Sequence, residues 1–222
     1  MSSTMEEREQ VDIYQSRYLE HQERKAAILA GEVTASETGS RAFDFYDKWP
    51  ILKHLMETRR SQRRFNDRHV SIGQLQAIAE AIQLSPSSCN RQAITAMPVS
   101  DPELKEKLSG LLVGGKGWID KADMVVLLFA NPDAYKAPGE MAYMPYLDAG
   151  VCVQSAYLAA EALGFGCCYI NPNIRADDKD AFAELFEIFE HECRIFCGAL
   201  AIGNYDAKAP TPPKRAVNEV FE

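Results

Sequence analysis

Much is missing from this chain, and each absence closes a class of function. None of the six cysteines (Cys89, Cys152, Cys167, Cys168, Cys193, Cys197) forms a Cys-x-x-Cys pair, and no histidine cluster stands near Cys193 and Cys197, so a zinc site is not indicated. Four of them lie in apolar stretches, where a free thiol packs as a small hydrophobe. No disulfide framework is expected at this length, and the reading is a reducing cytoplasm. The charged, polar N-terminus predicts no signal peptide, and no apolar run approaches a membrane span. No Gly-x-Gly-x-x-Gly follows a first strand and no Gly-x-x-x-x-Gly-Lys-Ser/Thr occurs, so neither a Rossmann nor a P-loop site is supported. His21, His54, His69 and His191 are scattered, which suits surface or structural histidines. No catalytic triad or carboxylate pair is visible. Positive charge is also short: the net charge of -8 argues against a nucleic-acid partner.

What is present is ordinary in bulk and unusual in one place. The 222 residues suffice for one domain with a sizeable core, and 46% hydrophobic with 25% charged residues is usual for a globular protein. Against the acidic background, Arg59-Arg60-Ser61-Gln62-Arg63-Arg64-Phe65-Asn66-Asp67-Arg68 carries five arginines. Two readings suit it. Arginine forks and the Ser61 hydroxyl suit a small anion such as a phosphate; a solvated basic face would look the same.

Along the chain, residues 1–40 read as an N-terminal helical extension and linker. Met5–Ala30 is a charged helix with a weak apolar stripe (Val11, Tyr14, Tyr18), and 31–40 is small and polar. It is either an appendage packed on a body or partner, or a partly disordered tail. Residues 41–222 form the main domain. A helix is expected over 41–58, with Pro50 starting its later part. Ser71-Ile72-Gly73-Gln74 has the form of a capping box for a helix with Leu75, Ile78, Ala79 and Ile82 on one face. Residues 85–92 break the pattern and form a loop. Then come a strand at 93–99, a helix capped by Asp101 and running to about Val113, a glycine turn at 114–117, and a buried strand at 124–130. Residues 131–144 are loop-rich. Tyr146–Leu163 is apolar on every face, which means burial in a core or at a subunit interface. A strand at 167–170, an amphipathic helix at 178–189, a strand at 195–202 and a proline-rich tail complete the order. It indicates an α+β, three-layer α/β/α arrangement around a small, mostly antiparallel sheet.

Four patches now stand in sequence: Arg59-Arg60-Ser61-Gln62-Arg63; Ser85-Pro86-Ser87-Ser88-Cys89-Asn90-Arg91-Gln92; Asp148-Ala149-Gly150 through Gly164-Phe165-Gly166-Cys167; and Ile202-Gly203-Asn204-Tyr205 followed by the prolines and Lys214-Arg215. In this order and at these spacings, from about residue 50 to the C-terminus, the chain resembles the FMN-dependent nitroreductase family. The resemblance implies a homodimer with two FMN sites at the subunit interface. It implies that Arg59, Arg60, Ser61 and Arg63 meet the FMN phosphate and ribityl chain, with Lys214 and Arg215 as a second basic contact. Pro86, Ser87, Ser88 and Asn90 would reach the ribityl chain and ring from the other subunit. Ile170 and Asn171 would lie along the ring near its reactive nitrogen. Helix 146–163 matches the dimer core, and the tail after Arg215 matches an extension around the partner.

By this resemblance the protein takes hydride from NAD(P)H through FMN and reduces a small electron-poor acceptor in a ping-pong cycle. Flavin supplies the electron chemistry, so no catalytic side chain is expected. A flavin-fragmenting enzyme of the same fold and a non-catalytic FMN-binding partner protein are the other readings. Pro172 follows Asn171 where many relatives carry glycine, and proline has no N–H to offer. Arg91 is either an extra cation beside the ring or the partner of a carboxylate. The 114–118 turn and the 131–144 loop are candidates for shaping the acceptor pocket.

Overall fold

The computed structural model describes residues 40–136, 138–187 and 194–220; the expected helix at 5–30, the linker up to residue 39 and Cys193 lie outside them. The chain divides into two compact units, Met1–Glu57 and Thr58–Glu222. The division therefore falls at the end of the helix expected over 41–58 rather than before it. That helix, α1, spans Ser40–Thr58 without a break at Pro50. Pro50 does not begin a new helix: its ring removes one backbone donor, and the flanking turns carry the helix across the gap.

The second unit is built on four antiparallel strands in the order β1-β2-β4-β3: β1 is Ile94–Val99, β2 Met124–Ala130, β3 Gly166–Ile170 and β4 Ile195–Gly203. The only described parallel element is an isolated bridge between Ser61 and Cys167. Strand β2 is apolar throughout because the sheet is covered on both faces. Its alternate side chains divide cleanly, as the two-residue period requires. Val126, Leu128 and Ala130 join α2 (Ile72–Gln83) and α5 (Met144–Ala162) through Ile78, Ile82, Ala149, Cys152, Ala156 and Ala160. Val125, Leu127 and Phe129 join α3 (Pro102–Leu111) and α6 (Lys179–Glu187) through Leu108, Phe182 and Leu185. These are the three layers that the element order indicated.

Local chemistry sets the helix starts. Ser71 and Gln74 form the capping box of α2, and Asp101 accepts the Leu104 N–H at 2.8 Å ahead of Pro102 in α3. Helix α3 ends at Leu111, short of Val113, because Leu112 turns extended and bridges to Ile174. The 131–144 stretch contains a turn of helix, α4 (Pro138–Met141). Helix α5 is not buried on every face of the single chain: Tyr146, Leu147 and Val151 are exposed. Among the described residues no helix is long and apolar enough to cross a membrane.

Gly166, at the start of β3, has no room for a side chain. A Cβ there would stand 2.6 Å from Gln62 Cγ and 2.9 Å from Gln62 Cβ. Gly166→Ala is therefore expected to destabilise the protein by about 1–3 kcal/mol, the usual range for overpacking. Urea unfolding measures it, and an unchanged midpoint would mean that the 61–62 segment is free to move off β3.

Candidate functional site

The arginine window is an extended segment stitched to the sheet edge, and its buried member does the stitching. The Gln62 N–H donates to the Cys167 carbonyl at 3.0 Å. Its side chain, 3% exposed, donates to the carbonyls of Arg64 (2.8 Å) and Ala207 (3.1 Å) and accepts from the Ala209 N–H (2.9 Å). A buried amide with its donors and acceptor used holds a segment firmly. One glutamine thus joins the arginines, β3 and the tail beyond β4. The Arg60 guanidinium also bonds the Thr211 hydroxyl. Lys214 follows Thr211 by at most about 11 Å of extended chain. Lys214 and Arg215 themselves are exposed, and no described contact joins them to Arg59–Arg63.

With Gln62 turned inward, its neighbours turn elsewhere. The Arg59 guanidinium lies over the Tyr157 ring at 5.0 Å, and that of Arg63 lies 5.9 Å from the Trp118 ring. Cations over ring faces are attracted by the ring quadrupole, which orients both arginines. Ser61 Oγ stands 3.2 Å from Tyr157 Oη, and the Tyr157 oxygen accepts the Tyr169 N–H at 2.7 Å. Ser61 and Tyr157 thus share a hydrogen bond in which either hydroxyl can donate. Burial pushes the Tyr157 hydroxyl up to about 12, so it stays a neutral donor.

Strand β3 runs from this basic end to Ile170 and Asn171. Ile170 is buried and paired with Ala199 in β4; Asn171 is exposed, and its carbonyl accepts the Asn173 N–H at 2.8 Å. The glycine turn closes against it. A Cβ on Gly114 would lie 3.3 Å from Ile170 Cγ2 and 3.6 Å from Asn171 Oδ1. Trp118 Nε1 donates to the Gly114 carbonyl at 3.0 Å. Arg63, Trp118, Gly114 and Ile170–Asn171 are therefore a continuous wall.

The 85–92 loop lies elsewhere. Its Ser88 N–H donates to the buried Asp148 at 2.9 Å, and Ser85 bonds Ser155 at 2.7 Å. Pro86 and Asn90 are exposed, and Ser87 Oγ accepts the Gln92 N–H at 2.9 Å. Cys89, Asn90 and Gln92 hold positive φ of 50°, 54° and 50°. Asp148 and Tyr157 are about two and a half turns apart on α5, hence on opposite sides and about 13 Å apart along the axis. One chain thus carries the two groups of candidate residues on opposite faces of one helix. Arg91 does not point free: it makes a two-pronged ion pair with Glu140 at 3.0 and 3.4 Å. The carboxylate reading of Arg91 holds.

Sequence reasoning assigned no role to Gln62, Tyr157 or Asp148, and reached Trp118 only as the end of the 114–118 turn. The signal for Tyr157 and Asp148 was available: a hydroxyl and a carboxylate inside an otherwise apolar helix each need a partner. Gln62 gave none, because an amide inside a charged run looks solvated.

Known proteins offer four comparisons. The model of the "Nitroreductase family" matches residues 56–116 and 111–204. The FMN reductase [NAD(P)H] of Bacillus subtilis is 34% identical over 186 residues, 76% of this chain and 72% of that protein. The oxygen-insensitive NADPH nitroreductase of Salmonella typhimurium is 31% identical over 169 residues, 72% and 70% of the two chains. A Desulfovibrio desulfuricans protein solved in complex with FMN shares the fold, with a TM-score of 0.63 and 24% identity over 77% of this chain and 94% of that one.

Tyr157→Phe is expected to strand the Tyr169 N–H and release Ser61, with a loss of about 1–3 kcal/mol in unfolding free energy. Denaturant titration reads it; a wild-type value would show that the tyrosine only fills space.

Proposed function

Because this chain belongs to the nitroreductase family, we propose that it is an FMN-dependent oxidoreductase that takes hydride from NAD(P)H and delivers it to a small electron-poor acceptor. The observation that carries the proposal is the course of β3. At one end it meets Ser61 and the arginines, and at the other it presents Ile170 and Asn171 beside the Gly114–Trp118 turn. A phosphate carries close to two negative charges and wants several forked donors; Arg59, Arg60, Ser61 and Arg63 supply them, with Lys214 and Arg215 in reach along the tail. The donor set fits the group. Bound there, FMN would supply the two-electron chemistry, and the chain's part is to hold, orient and shield it. NAD(P)H and the acceptor would occupy the same open face in turn, against Ile170, Asn171 and Trp118. Pro172 has no N–H and that of Asn173 is donated to the Asn171 carbonyl, so the Asn171 N–H is the one left to meet the ring edge.

A second copy completes the site in this reading. Pro86, Ser87, Ser88 and Asn90 lie across α5 from the basic segment, so in a homodimer each copy lends this loop to the other's flavin. The exposed apolar residues Tyr146, Leu147 and Val151 of α5 supply the contact surface, since such a stripe favours burial.

Flavin binding, turnover and association state test the reading. The purified protein should be yellow and should oxidise NADH or NADPH, and Arg63→Ala should weaken FMN binding by about ten- to a hundredfold, the worth of one charged hydrogen bond. Full FMN content with unchanged affinity in that variant would remove the arginine segment from the site. Light scattering should find a dimer at micromolar concentration, and Leu147→Glu should give monomers. A monomeric wild type would end the shared-site reading.

A further inference from the structure

The 87–92 loop is an unfavourable piece of backbone. Cys89, Asn90 and Gln92 all sit at positive φ without being glycine, and such residues persist only where their surroundings hold them. Two carboxylates do the holding. Asp148, 4% exposed, accepts the Ser88 N–H at 2.9 Å and the Tyr135 hydroxyl at 3.0 Å. The Tyr135 ring lies 5.6 Å from the Arg91 guanidinium, whose fork grips Glu140. Glu140 Oε2 also accepts the Lys136 N–H at 3.0 Å, which ties it back to its own segment. From Ser88 through Asp148, Tyr135, Arg91 and Glu140 the contacts form a closed circuit around Asn90. The Arg91 side chain is 11% exposed and that of Glu140 30%, so this pair is far better sheltered than an ordinary surface ion pair.

We propose that Arg91, Glu140, Tyr135 and Asp148 form a clamp that sets the position of Asn90, making Arg91 and Glu140 positioning residues for the flavin-edge contact. The proposal rests on the reading that Asn90 meets the ring of FMN in the partner copy. Within the loop, Asn90 has one side-chain tie, the bond that its Oδ1 accepts from Gln92 Nε2 at 3.2 Å. Its aim therefore depends on backbone geometry, which Ser88 and Arg91 fix on either side. The clamp also joins the loop to the 131–143 stretch. A change in that stretch is therefore felt at Asn90 through Arg91 and Glu140.

The test reads the loop directly and then reads the enzyme. Amide hydrogen exchange over residues 87–92 of the whole protein should rise about tenfold or more in Glu140→Gln, because the Ser88, Asn90, Arg91 and Gln92 N–H groups all depend on this geometry. In yellow protein with FMN content equal to wild type, kcat for acceptor reduction should fall by about ten- to a hundredfold, the cost of a misplaced contact. In an Asn90→Ala background the same substitution should lower kcat no further, since both act through one group. Exchange at the wild-type rate overturns the clamp. So does an equal fall in kcat in both backgrounds, which would mean that Glu140 acts on something other than Asn90. Should Glu140→Gln not fold, Arg91→Lys, which keeps the charge and loses the fork, is read in the same way. A colourless, inactive wild type would overturn the proposed function instead, while exchange still decides whether the circuit holds the loop.

Discussion

The rest of the site depends on the seating of Ser61 and Gln62 against the edge of β3. The Gln62 N–H meets the Cys167 carbonyl, and the missing side chain of Gly166 lets the glutamine stem pass. Every polar atom of the Gln62 amide is then used inside the protein. From this one contact follow the outward course of the arginines, the return of the tail to Ala207 and Ala209, and the meeting of Ser61 with Tyr157. Without it, five arginines in an acidic chain would be a loose basic strand with no shape to offer an anion.

Helix α5 organises everything else by carrying different chemistry on different sides. Its alanines and Cys152 fill the core beneath the sheet, Asp148 holds the 85–92 loop, and Tyr157 supports Ser61 and Tyr169. The remaining stripe of Tyr146, Leu147 and Val151 faces outward. A helix with so few polar residues reads as uniformly buried. Yet its two buried polar groups, half a turn out of phase, are what place the two groups of candidate residues. That arrangement keeps the two groups apart within one chain, on opposite sides of the helix.

The ion pair of Arg91 and Glu140 shows how charge can serve geometry. An arginine in an exposed loop could recruit an anionic substrate, but here a carboxylate from α4 already occupies its fork. The guanidinium is thereby spent on holding the loop, and the electrostatic character of the open face is left to Arg63 and its neighbours.

The sequence by itself determined the layers, the element order and the capping of α2 and α3. These rest on period and on local hydrogen bonding, which neighbours along the chain decide: the alternation in β2, Ser71 with Gln74, Asp101 with Leu104. It also marked the candidate residues, since arginine forks and a serine in one window have a recognisable chemistry. Tertiary structure alone decided which of them meet. Gln62 became an anchor only because the Ala207–Ala209 stretch folds back upon it. Arg91 became a clamp only because α4 brings Glu140 to it, and Val113 left its helix only because Leu112 found Ile174. In each case the partner is far away along the chain, and a contact between distant residues leaves no periodic trace in either segment.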